Sequence, residues 1–158
     1  MTFKLSNRSL GKLEGVHPLL VKVVETAIQH TQTDFGVIFG VRTLAEQQEL
    51  FDKGASKTMN SNHLIQDDGY SHAVDLMAYV GSRGSWELSL YDDLADAMKI
   101  AAEEHGAHVR WGGSWTVDDI RTWDGTMEEA MNSYVDLRRS QGRRPFIDGP
   151  HFELRSLA

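Results

Sequence analysis

The chain has 158 residues, 41% apolar and 25% charged, an ordinary balance for a globular protein with room for one real core. A formal net charge of −7 argues against general binding to nucleic acid or to an anionic membrane surface. With no cysteine there can be no disulfide and no thiolate ligand, so a transition metal would have to sit on histidine and carboxylate.

Residues 1–17 read as a polar lead-in without the long apolar core of a signal peptide, and no stretch could span a bilayer, so synthesis in the cytoplasm is expected. Pro18 suits a first helical turn, and Leu19, Leu20, Val23, Val24 and Ala27 recur at helical spacing, predicting a helix to about Gln32. Val37 to Val41 reads as a short buried strand. Thr43 with Glu46 forms a capping box that opens the helix LAEQQELFDK, which Gly54 closes.

Residues 55–71 form a long polar loop of the kind that often carries function. His72 to Val80 is the next strand, and a loop with Gly81, Gly84 and Trp86 leads to a helix over Leu90–His105 that Gly106 terminates. His108 to Trp111 reads as a short strand. Thr126 with Glu129 makes a second capping box, predicting a helix to Arg139, and a last strand surrounds His151. No repeat, low-complexity tract or linker divides the chain, so one domain over 1–158 is expected.

Two stretches carry candidate chemistry. SNHLIQDDGYSHAVD puts His63 in a polar loop and Asp75 inside the apolar run AVDLMAYV, where a carboxylate is costly to bury without a compensating charge. Asp148-Gly-Pro-His151 adds a second histidine with an acid three residues before it. Two histidines, one aspartate and a spare acid are the inventory of a catalytic zinc site that keeps one position open. Strand alternation sets His72 on the face opposite Asp75, whereas His63 on its approach loop can join it. On the last strand His151 and Glu153 share one face and Phe152 and Leu154 the other. Bland readings stand beside these. A loop histidine can be merely solvated, and Asp75 can be held by backbone N–H groups or an arginine. Asp148 can be a turn residue, Arg42 a surface ion-pair partner, and Trp111 and Trp115 packing residues.

Read together, the segments resemble the zinc peptidase family of D-alanyl-D-alanine carboxypeptidases and phage L-alanyl-D-glutamate endopeptidases. Ser61-Asn62-His63 and Ala73-Val74-Asp75 match the two halves of its Ser-x-His-x-x-Gly-x-Ala-x-Asp pattern, and Asp148-Gly149-Pro150-His151-Phe152 matches the closing motif of the endolysin branch. Gly40-Val41-Arg42-Thr43, Gly54-Ala55-Ser56-Lys57-Thr58 and Arg110-Trp111-Gly112-Gly113-Ser114-Trp115 also match, so the likeness covers nearly the whole chain. The interval from His63 to Asp75 is longer than the pattern by about five residues within IQDDGYS, and Ser71 stands where glycine is usual. The stretch Thr116–Arg144 is also longer than a minimal member needs.

The resemblance implies an α+β fold, with a small, mainly antiparallel sheet, flanking helices and zinc in a cleft. It implies one Zn²⁺ per chain on His63, Asp75 and His151, with Asp148 as general base. Arg42 is the matching cation for an oxyanion or a substrate carboxylate, and Ser61 the matching substrate-contacting serine. The implied substrate is the peptidoglycan stem peptide, cut at the L-Ala–D-Glu bond by a monomer that reaches the wall after release from the host cytoplasm. D-Ala-D-Ala carboxypeptidase activity and a non-catalytic, zinc-stabilised wall-binding module are the rival expectations.

Overall fold

The apolar runs of the sequence meet in a sheet of five strands, and the computed structural model describes residues 2–155. The strands are β1 (Asp34–Phe39), β2 (Ala73–Val80), β3 (Arg83–Ser85), β4 (Val109–Trp111) and β5 (His151–Leu154). The order is β1-β2-β5-β4, with β3 folded back on β2, and every pairing is antiparallel. The helices are α1 (Asn7–Lys12), α2 (Pro18–His30), α3 (Leu44–Asp52), α4 (Leu88–His105) and α5 (Met127–Ser140), with a 3₁₀ turn at Ile120–Thr122. The α+β architecture expected from the sequence is the one the chain adopts. No helix among the described residues is long and apolar enough to cross a membrane.

Pleating sorts β2 into two functions. Val74, Leu76 and Ala78 point into one core with Leu20, Val23 and Val24 of α2, Leu94 and Met98 of α4, and Phe152 and Leu154 of β5. Asp75 and Met77 point to the opposite face, beside His151 and Glu153. One face of the sheet is therefore sealed by helices and the other is left to carry chemistry.

Both capping boxes form: Thr43 and Thr126 each accept from the backbone N–H three residues on, and Glu46 and Glu129 reach back to the cap N–H. Gly106 closes α4 with φ 63°, the left-handed conformation that glycine adopts without a Cβ penalty. The structure differs from the sequence reading in several places. The polar lead-in contains α1, capped by the Ser6 hydroxyl. The loop at Gly81–Trp86 contains β3, too short for periodicity to reveal. The first strand ends at Phe39, so Val41 lies outside it and is exposed.

The helix layer contains one strained charge. Asp92 on α4 is 7% exposed, and its Oδ1 has no hydrogen-bond partner among the described residues. Burial, with Glu128, Asp96 and Asp93 nearby, pushes its carboxyl up to about 6. A native pKa above the unfolded value means that the folded state holds the extra proton between roughly pH 4 and 6. Stability from this group is thus greatest below that window and is lost as pH rises through it. Asp92→Asn should raise the melting temperature at pH 7, and the gain over wild type should shrink as the pH approaches 4. Thermal melts of both proteins across that range check it.

Candidate metal centre

Three sequence-distant segments converge on the open face of the sheet. Antiparallel pairing of β2 with β5 sets Asp75 directly opposite His151. His63 arrives from the loop after α3, and its position is fixed by main-chain bonds on both sides. Its carbonyl accepts from the Arg42 N–H at 2.9 Å, and its own N–H donates to Ser61 Oγ at 3.1 Å. The extra residues after it do not displace it. They close on themselves through Gln66 N–H to the Tyr70 carbonyl and a bridge between Ile65 and Ser71. The His72 N–H then returns to the Asn62 carbonyl at 2.8 Å.

Hydrogen bonds select which nitrogen each imidazole presents. His63 Nδ1 lies 2.8 Å from the Gly40 carbonyl, an acceptor only, so Nδ1 carries the proton and Nε2 offers its lone pair. Gly40 has to be glycine here, since a Cβ would stand 2.1 Å from the Lys12 carbonyl oxygen. His151 Nε2 donates to Glu153 Oε1 at 2.8 Å, which turns its Nδ1 toward Asp75.

Asp75 Oδ1 is 3.3 Å from His63 Nε2 and 3.3 Å from His151 Nδ1, and the three ligand atoms all lie within 4.8 Å of one another. His63 Nε2 is buried without a hydrogen-bond partner among the described residues. A buried, unpartnered imidazole nitrogen facing a carboxylate and a second imidazole suits a divalent cation. Two ligands each about 2.0–2.1 Å from a tetrahedral ion stand about 3.3–3.4 Å apart. Both histidines and the aspartate singled out in the sequence are therefore in one cluster. His72 is elsewhere, its Nε2 2.7 Å from Asp68 Oδ2.

The surroundings favour positive charge at this point. Burial opposes ionisation of Asp75, but the facing imidazoles outweigh it and hold the carboxyl far below its usual range. Burial also opposes charge on His151, yet Asp75 and Glu153 together push it up to about 9. Glu153, against the cost of its own burial, is brought down to about 2 by His151 and Arg110. Arg110 Nη2 lies 2.9 Å from Glu153 Oε2, completing an Arg110–Glu153–His151 chain behind the imidazole. Sequence reasoning placed Glu153 on the His151 face without giving it this role. The signal was there in the shared strand face and in the arginine of the RWGGSW motif.

Asp148, Arg42 and Ser61 line the same cleft, about 740 Å³ in volume. Asp148 sits in a turn clamped on β4: its N–H donates to the Gly112 carbonyl at 2.9 Å, and Trp111 Nε1 donates to the Gly149 carbonyl at 2.7 Å. A Cβ on Gly112 would stand 2.2 Å from the Asp148 carbonyl, so glycine is needed for that approach. Burial raises the Asp148 carboxyl above its ordinary value, with His151 pulling the other way. Arg42 Nη1 donates to Gln47 Oε1 at 2.8 Å, and buried Gln47 in turn donates to Ser56 Oγ and the Thr58 carbonyl. Of the two tryptophans, Trp111 is a fully buried packing residue. Trp115 instead lines the cleft, its ring 5.6 Å from His151.

Proteins similar in sequence and in fold are known. The family model described as phage L-alanyl-D-glutamate peptidase matches residues 1–155. The L-alanyl-D-glutamate peptidase of Escherichia phage T5 is 29% identical over 136 residues, 79% of this chain and 96% of that protein. The crystal structure of the L-Ala D-Glu endopeptidase ChiX of Serratia marcescens superposes with a TM-score of 0.70 at 32% identity, covering 97% of this chain and 90% of that one.

Metal analysis of purified variants checks the cluster. If the cluster holds a divalent cation, His63→Ala and His151→Ala should each lose it, since three candidate donors leave little redundancy. His72→Ala should retain it, because its imidazole is committed to Asp68.

Proposed function

The chain belongs to the phage L-alanyl-D-glutamate peptidase family, and on that premise we propose that it is a zinc-dependent peptidoglycan hydrolase that cuts the L-Ala–D-Glu bond of the stem peptide. The observation that carries the metal-dependent reading is the meeting of His63 Nε2, Asp75 Oδ1 and His151 Nδ1 in a cleft that also holds Asp148. We assign His63, Asp75 and His151 as the ligands of a single zinc ion, a donor set compatible with the cysteine-free composition. When bound there, zinc supplies Lewis acidity that polarises a carbonyl and brings the pKa of water down towards roughly 7.

The protein's own groups do the rest. Asp148 accepts a proton from the attacking water and delivers it to the leaving amine, and the burial that raises its carboxyl suits a group that must both take and give a proton. Arg42, held by Gln47, offers a guanidinium to the developing oxyanion or to a substrate carboxylate. Ser61 orders the His63 backbone through its hydroxyl and lies on the cleft wall, where it can also meet substrate. Glu153 and Arg110 act through His151, fixing its ring and its tautomer. Action on the wall after release from a host cytoplasm fits this chemistry.

Asp148→Asn tests the central step. Without a proton acceptor of similar shape, kcat should fall by about 10²–10⁴-fold while zinc content is retained. Retained activity with retained zinc would remove Asp148 from the chemistry, and loss of zinc would make it a ligand. Digestion of purified peptidoglycan by the wild type should expose new amino termini on D-Glu. Release of free D-Ala instead would identify a carboxypeptidase, and no cleavage would favour a binding module.

A further inference from the structure

The two walls of the cleft differ in chemistry, and the sheet order says which is which. Asp75 on β2 and His151 on β5 occupy the middle of the order β1-β2-β5-β4. Arg42 and Lys57 come from the segment that follows β1, and Trp115 from the turn that follows β4. All five line one cavity, so the metal cluster lies between a cationic wall and an aromatic one.

The arginines that line the cavity on the aromatic side, Arg110 and Arg155, are already paired. Arg110 pairs with Glu153, and Arg155 with Asp118 and Glu153. Arg42, by contrast, bonds to the neutral amide of Gln47, and neither it nor Lys57 has an ion-pair partner among the described residues. The free positive charge of the cleft is thus on the β1 side, where it fits the carboxylate-bearing D-Glu half of the scissile bond.

On the other side, Phe146 is 59% exposed and pairs with Trp115, with ring centroids 6.2 Å apart and planes 16° from parallel. Arg110 lies over the Trp115 ring, 5.0 Å from its centroid, and helps to fix it. Phe146 is held by its main chain. Its N–H donates to the Tyr134 hydroxyl at 3.0 Å, and the same hydroxyl donates to the Phe146 carbonyl at 3.0 Å. Tyr134 is buried on α5, so that helix anchors an aromatic residue in the cleft. An exposed ring with its backbone ordered in advance loses little entropy when a ligand covers it.

Resting on the reading of the cleft as a stem-peptidase site, we propose that Phe146 and Trp115 form a shelf for the muramyl sugar. Phe146 would be a specificity-determining residue and Tyr134 its positioning residue. The methyl of L-Ala is too small to cover two rings. The next bulky group on the amino side of that residue is the pyranose, reached through its lactyl amide, and its C–H face suits a flat aromatic surface. With D-Glu at the cationic wall, the amino side of the scissile bond points toward the shelf. The enzyme therefore reads the sugar as well as the peptide.

The test compares kcat/KM on a disaccharide-linked stem peptide with that on the same stem peptide lacking sugar. Wild type should prefer the linked substrate. Phe146→Ala should lower the ratio of the two values by roughly threefold to tenfold, chiefly through KM for the linked substrate. Phe146→Trp should preserve the ratio, and Tyr134→Phe should lower it without loss of zinc. A ratio unchanged by Phe146→Ala overturns the proposal, even if both rates fall together, because the ring would then serve the peptide or the fold and not the sugar. Failure of wild type to cut either substrate would instead sink the peptidase reading.

Discussion

The antiparallel register of β2 against β5 is the constraint on which the cluster depends. It places Asp75 opposite His151 and, one position along, Val74 opposite Phe152. The two ladders of side chains are inseparable: the apolar pair fixes the register, and the register fixes the polar pair. A slip of β5 by one residue would turn Phe152 and Leu154 to the open face and drive His151 and Glu153 into the helix-covered core. The core thus specifies the geometry of the cluster without touching it. Burial of Val74, Leu76, Phe152 and Leu154 makes the alternative register prohibitive.

Around that pair the protein arranges charge in layers. Asp75 faces both imidazoles, Glu153 takes the remote nitrogen of His151, and Arg110 balances Glu153. Each ionised group has an opposite neighbour, which is how so many titratable side chains can be buried together. Against that pattern, His63 Nε2 faces Asp75 without a hydrogen bond of its own among the described residues. Gly40 maintains that state, because its carbonyl holds the proton on the other nitrogen. Backbone as well as side chains therefore determines which lone pairs the centre presents.

Much of this was legible in the sequence, for identifiable reasons. Thr43 with Glu46 and Thr126 with Glu129 mark helix starts because the cap chemistry is local, and both caps form. Period-two alternation was enough to separate His72 from Asp75. Features made by contact were less visible. The three residues of β3 are too few to show a period, and α1 has an almost wholly polar sequence stabilised by its Ser6 cap and by packing on β1. The Arg110–Glu153 pair joins residues 43 positions apart, which no local pattern announces. Trp115 reads as a packing residue because large aromatic side chains more often fill cores than line sites; the turn after β4 brings it into the cleft.

The loop between His63 and β2 has a consequence for engineering and for descent with variation. Its two ends are tied before and after the excursion, by the Ile65–Ser71 bridge and by His72 bonded to Asn62, while Asp67 to Tyr70 stand exposed at the tip. The distance along the chain between two cluster residues is thereby uncoupled from their separation in space. Lengthening a loop closed in this way costs slowly, about 0.6 kcal/mol for each doubling. The tip of this excursion, unlike the clamped turn at Asp148, is where an added sequence such as a wall-targeting tag could be carried beside the cluster without moving it.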